Sequence, residues 1–128
     1  MEMLINGATY DVTSPDELRA SLTEAASAEF AEIWLNAGDG WPAICALVHS
    51  DAAWLMFLRY EGDAGFSTRN PNYAGPQEAT IEYRLSNGQM DEYPASWDVS
   101  TTEAIRALEY FFSNQAMAPW LGWYAEGK

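Results

Sequence analysis

Cys45 and His49 are the only cysteine and the only histidine in the chain, and they stand four residues apart in "CALVH". A thiolate nucleophile needs a base within hydrogen-bond reach, and no other Cys or His can form such a pair here. The surrounding stretch, Ala43 to Ser50, is rich in β-formers and predicts a strand. On a strand the two residues lie about 13 Å apart at about 3.3 Å per residue, too far to act as a dyad. A core cysteine and a strand-end histidine are the expectation; only a helix in that place would bring them together.

One His and one Cys leave carboxylates as the remaining metal ligands, and no DxDxDG calcium loop with its terminal Glu occurs. "EGDAG" at 61–65 combines two carboxylates with two glycines and reads as a turn. "NAGDGWP" lacks both the GxGxxG spacing and a lysine, so it does not read as a phosphate loop. Carboxylate pairs for acid–base work, such as Glu82 with Glu92, are not singled out by spacing, and solvated faces explain them. The expectation is no catalytic residue, no cofactor and no metal site, in a protein that acts by binding.

Charge says what it would bind. Six basic residues against nineteen acidic ones give a net charge of −13, with acids running from Glu2 to Glu126 and no acidic tail. Such a surface repels nucleic acid and anionic lipid and attracts a cationic protein. A lone cysteine fits a reducing compartment. "MEMLINGATYDV" has neither the basic nor the apolar region of a signal peptide, and no apolar run is long enough for a membrane span, so a cytoplasmic location is expected. At 128 residues and 48% hydrophobic content, residues 1–128 are expected to form one globular domain.

The elements that must position these residues follow from turn signals and periodicity. Asn6-Gly7 predicts a tight N-terminal hairpin. "SPDE" at 14–17 supplies an N-cap, a first-turn proline and a capping-box glutamate, predicting a helix over 15–27 with Leu18 and Leu22 inward. Strands are predicted over 29–36, 43–50 and 52–60. The last of these is apolar on both alternating sets and is therefore expected at the sheet centre, covered on both faces. Residues 61–78, with three Gly, two Pro and two Asn, predict one long irregular loop. Asn87-Gly88 predicts a second hairpin that pairs Leu85 with Met90 and Arg84 with Asp91 across a polar outer face. "STTE" at 100–103 caps a helix over 101–114, and "WLGWY" returns as a final strand. The order predicts an α+β fold: an antiparallel sheet of about five to six strands packed against two main helices.

Several stretches taken together, "IWLN" at 33–36, "GWPAI" at 40–44, "GFS" at 65–67, the "YRLSNG" hairpin with Pro94 beyond it, and "ALEYFFSNQAMAPWLGW", form a familiar pattern. Over residues 33–123 it resembles the immunity-protein family of bacterial polymorphic toxin systems, which includes immunity proteins to nucleic-acid deaminase toxins. The best mark is the aromatic pair near a helix end followed by a proline and a strand tryptophan, here Phe111, Phe112, Pro119 and Trp123. The resemblance implies a non-catalytic inhibitor that meets a sibling toxin's catalytic domain in the cytoplasm, one to one, and occludes its active site. An acidic protein without chemistry suits a toxin made basic to hold nucleic acid.

For such a partner the expected contact surface is the 61–78 loop with its neighbours: Glu61, Asp63, Phe66, Asn70, Asn72 and Tyr73, joined by Asp39 and Trp41 in the glycine-flanked turn before the second strand. Ordinary solvent exposure explains each of these residues singly. Two other readings stand beside this one: a small-ligand or adaptor domain with an aromatic-lined pocket between helix and sheet, and an enzyme built on a convergent carboxylate pair.

Overall fold

In the computed structural model, which describes residues 1–127, the Asn6-Gly7 turn does what its residues allow. Both adopt positive φ, 50° and 86°, and fold β1 (Glu2–Ile5) onto β2 (Ala8–Asp11) across a two-residue loop. Ser14 accepts from the Glu17 amide at 3.2 Å and starts α1 (Pro15–Ala26). β3 (Phe30–Asn36), β4 (Ala43–His49) and β5 (Ala52–Leu58) then run as consecutive antiparallel neighbours. After β6 (Phe66–Arg69) the chain makes the hairpin β7 (Thr80–Arg84) and β8 (Met90–Pro94), a short 3-10 turn at Ala95–Trp97, and β9 (Val99–Ser100). A capping box between Ser100 and Glu103 opens α2 (Thr101–Asn114), and β10 (Gly122–Ala125) returns beside β6.

The fold is α+β, with more strands than the five to six expected. Eight strands form one sheet in the order β10-β6-β5-β4-β3-β1-β2, with β9 joining β5, while β7 and β8 form a separate two-stranded sheet. The extra strands, β6 and β9, have four and two residues, too few to show a period in sequence.

Alternation along the central strands sorts their side chains between two cores. Ile33, Leu35, Ile44, Val48, Leu55 and Phe57 point to one face, where Leu18 and Leu22 of α1 and Leu108 and Phe111 of α2 cover them. Cys45, Leu47 and Trp54 point to the other, where Tyr83 of β7 and the half-buried Ile81, Tyr93 and Trp97 lie over them. β5 is thus covered on both faces, as its doubly apolar sequence predicts. Trp123 of β10 packs on the helix-side core and donates from its indole N–H to the Ala118 carbonyl at 2.9 Å.

Two expectations are corrected. The predicted 61–78 loop is interrupted by β6, because Met56 pairs with Ser67 and Phe57 with Phe66. Gly65 makes this approach possible: its φ is 81°, and a Cβ there would lie 2.6 Å from Leu58 and 2.7 Å from the Phe57 carbonyl. In the second hairpin, Arg84 pairs with Met90 and Tyr83 with Asp91, one residue off the predicted register. Gly88, at φ 91°, donates its amide to the Leu85 carbonyl and lengthens the loop to the three-residue type, so the predicted Arg84–Asp91 pair does not form.

Candidate functional site

Strand register decides which predicted contact residues meet. Ala43 pairs with both Asn36 and Leu58, so the 37–42 turn and the 59–65 loop emerge at the same end of the sheet. Asp39, Trp41, Glu61 and Asp63 therefore gather there. Asn70, Asn72 and Tyr73 do not join them; they follow β6, which runs four residues back toward the other end.

Within this end the residues are unequal. Asp39 and Glu61 are exposed and Trp41 is half-buried. Asp63 is spent inside the chain: its carboxylate accepts from the Arg59 backbone amide at 2.9 Å and from two guanidinium nitrogens at 2.8 and 2.9 Å, and its side chain is only 2% exposed. The hydrogen bonds from Arg59 hold this carboxyl well below the usual carboxylate range. Phe66 packs against the helix-side core, with the Arg59 guanidinium 4.9 Å over its ring. Both residues shape the loop from within. On the other stretch, the Asn70 side chain accepts from the Asn72 amide and the Tyr73 hydroxyl donates to the Pro76 carbonyl, each a local bond that stiffens a turn.

Three acids that sequence reasoning did not single out complete the same end. Glu2 lies opposite both Asn36 and Asp11, and Glu126 follows the end of β10, its amide bonded to the Gly65 carbonyl. Their placement comes from strand pairing across about ten to sixty residues of sequence, and no local signal carries it. Asp39, Glu61, Glu2, Asp11 and Glu126 thus form an acidic end. The cations near it are engaged: Arg59 by Asp63, the N-terminal ammonium with Asp11 at 3.4 Å, and Arg69 with Glu126 at 3.4 Å. Tyr60 stands in the same loop, 54% exposed.

The residues first considered for chemistry are placed otherwise. Cys45 and His49 do share β4, and Cys45 is buried, which pushes its thiol well above the ordinary value. His49 donates from Nδ1 to the Glu82 carbonyl at 2.7 Å, stacks on Phe30 at 4.3 Å, and has Nε2 3.7 Å from the Glu29 carboxylate. It fastens the hairpin to the sheet. Glu82 and Glu92 are direct cross-strand partners on the hairpin's exposed outer face. Among the described residues no three His, Cys, Asp or Glu converge to hold a metal, and no helix is long and apolar enough to cross a membrane. Between the two helices and the central strands β3, β4 and β5, the space is occupied by the side chains of the larger core.

Comparison with known families accounts for most of the chain at once. Residues 6–125 match the family model described as Immunity protein Imm1. No curated protein matches the sequence.

Proposed function

The chain belongs to the Imm1 family of immunity proteins, whose role is immunity against a toxin, and from that premise we propose that it neutralises a cognate toxin by binding over the entrance to the toxin's active site. It carries out no catalysis of its own. The partner is the catalytic domain of a sibling toxin, basic because its substrate is a nucleic acid, as in a deaminase; the complex forms one to one in the cytoplasm. The family match over nearly the full length carries this reading, and the net charge of −13 supports the choice of a cationic partner.

The acidic end is the proposed contact surface. Asp39 and Glu61 steer the encounter and Trp41 supplies an aromatic anchor. Asp63 and Phe66 serve by holding the 59–65 loop in shape, and Asn70, Asn72 and Tyr73 form an outlying patch. The test is co-expression with the catalytic domain of the toxin encoded beside this gene. Cells should survive, and the isolated complex should weaken with salt; toxicity unchanged by this protein would end the proposal. Asp39→Lys together with Glu61→Lys should slow association about tenfold or more at low salt while leaving the melting temperature unchanged. An unchanged on-rate would move the interface off this end.

A further inference from the structure

The large sheet ends in β10 at one edge and β2 at the other. Among the described residues β2 pairs only with β1, and all four of its residues are exposed. Which of its backbone groups are free follows from the bonds around it. The Asn6 amide bonds to the Glu32 carbonyl of β3, so the even-numbered residues of β1 face β3. Met1 and Val12 exchange bonds of 2.8 and 2.9 Å, so the odd-numbered residues of β1 face β2. Ala8, Tyr10 and Val12 are therefore the bonded set, and Thr9 and Asp11 turn their N–H and C=O groups outward. An edge of this kind is a template for another strand.

Beside it runs a groove of about 300 Å³ between β2 and the second half of α1, lined by Ile5, Tyr10, Ser21, Glu24, Ala25 and Ala28. Three features of the groove favour a cation. Tyr10 is 50% exposed and lines the groove with an aromatic ring. Glu24 has no ion pair among the described residues. It also sits in the last turn of α1, which contains no basic residue, so an incoming cation would answer both the carboxylate and the negative end of the helix.

We propose that the β2 edge receives an extended segment of the toxin as an added antiparallel strand, with one Lys or Arg of that segment seated in the groove between Tyr10 and Glu24. Main-chain bonds to Thr9 and Asp11 supply attachment and the groove supplies selectivity, the division of labour common to strand addition. A second copy of this chain is disfavoured as occupant, since each copy carries a net charge of −13. The edge ends at Asp11, one of the acids of the proposed contact surface, so both can be covered by one partner. This inference rests on the toxin-binding reading above, and its test separates the two.

The probe is the purified catalytic domain of the toxin encoded beside this gene. Thr9→Pro removes an outward N–H that no internal bond uses, and should weaken binding about tenfold with the melting temperature within a few degrees of wild type. Tyr10→Ala and Glu24→Gln should each weaken it severalfold, and they keep the test intact if the proline variant fails to fold. In the wild type, the Thr9 and Asp11 amides should exchange quickly alone and slowly in the complex. If the toxin binds wild type and all three variants alike and protects neither amide, the edge is not its seat, although neutralisation stands. If wild type does not bind the toxin at all, both proposals fall. A wild-type dimer abolished by Thr9→Pro would give the edge to a second copy and overturn the inference.

Discussion

Beneath the two helices the sheet meets aliphatic side chains and Phe111, whereas beneath the hairpin it meets aromatic rings with polar tips. On the helix side Leu22, Leu35, Ile44, Leu55 and Phe111 are wholly enclosed, with no polar side chain among them to satisfy. On the hairpin side the buried apolar cluster is the smaller one of Cys45, Leu47, Trp54 and Tyr83. Trp54 stacks on Tyr93 at 4.6 Å, the Tyr83 hydroxyl donates to Asp98 at 3.5 Å, and the Trp54 indole N–H has no partner among the described residues. The dry face supplies cooperative stability through area and close packing, while the wet face is held by stacking and a few hydrogen bonds whose value depends on protonation. The hairpin is accordingly the less firmly held of the two coverings.

That contrast can be broken by substitution. Phe111→Ala empties the centre of the dry core and should cost about 3–5 kcal/mol in denaturant unfolding; a cost near 1 kcal/mol would mean that the helix side is not the stabilising face. Asp98→Asn should act in the opposite direction. Burial, assisted by the charge of Asp51, pushes the Asp98 carboxyl up to about 6 against the opposing hydrogen bond from Tyr83. The folded protein thus keeps this proton up to about pH 6 while the unfolded chain releases it near pH 4, so wild-type stability falls as pH rises between those values. Asp98→Asn should remove that fall and gain about 1 kcal/mol at neutral pH, allowing for the group's partial exposure, with no gain at about pH 3. A gain that is the same at both pH values would assign it to something other than this ionisation.

Smaller effects sharpen the comparison. Trp54→Phe leaves a small void but abolishes a buried donor without an acceptor, and should change stability by less than about 1 kcal/mol. A loss of about 3 kcal/mol would show that the indole is as tightly packed as the residues under the helices. Glu92→Lys replaces a like-charge cross-strand pair with an attractive one opposite Glu82, and thermal unfolding should show a gain of about 0.2–1 kcal/mol. No gain would mean that solvent already screens the pair.

Much of this architecture was legible in the sequence wherever a signal is local. Asn6-Gly7 needs positive φ at both positions, and Ser14 and Ser100 stand where helices must begin. The doubly apolar "AAWLMFLRY" announced a strand covered on both faces. The second hairpin shows the limit: Asn-Gly suits a two-residue loop, but in the observed register Tyr83 is fully buried and Asp91 lies opposite it, accepting from the Tyr93 hydroxyl at 3.1 Å. Packing beneath the hairpin outweighs the local turn preference there. Likewise "GFSTR" looks like loop until Gly65 lets β6 close on β5.

For the site the same boundary holds. Composition by itself determined that the protein is strongly acidic and rich in apolar residues, and the lone Cys45 and His49, four residues apart on a strand, determined that they do not form a dyad. The first is a property of residue identity alone, and the second follows from spacing once this segment is a strand, as β4 is. Only the tertiary structure decided that Asp63 is consumed by Arg59, that Glu2, Asp11 and Glu126 join Asp39 and Glu61 at one end, that Asn70, Asn72 and Tyr73 stand apart, and that β2 is left with an open edge. Those outcomes depend on register between strands distant in sequence, and register is set by the summed burial of whole faces, to which no single residue's type is a guide.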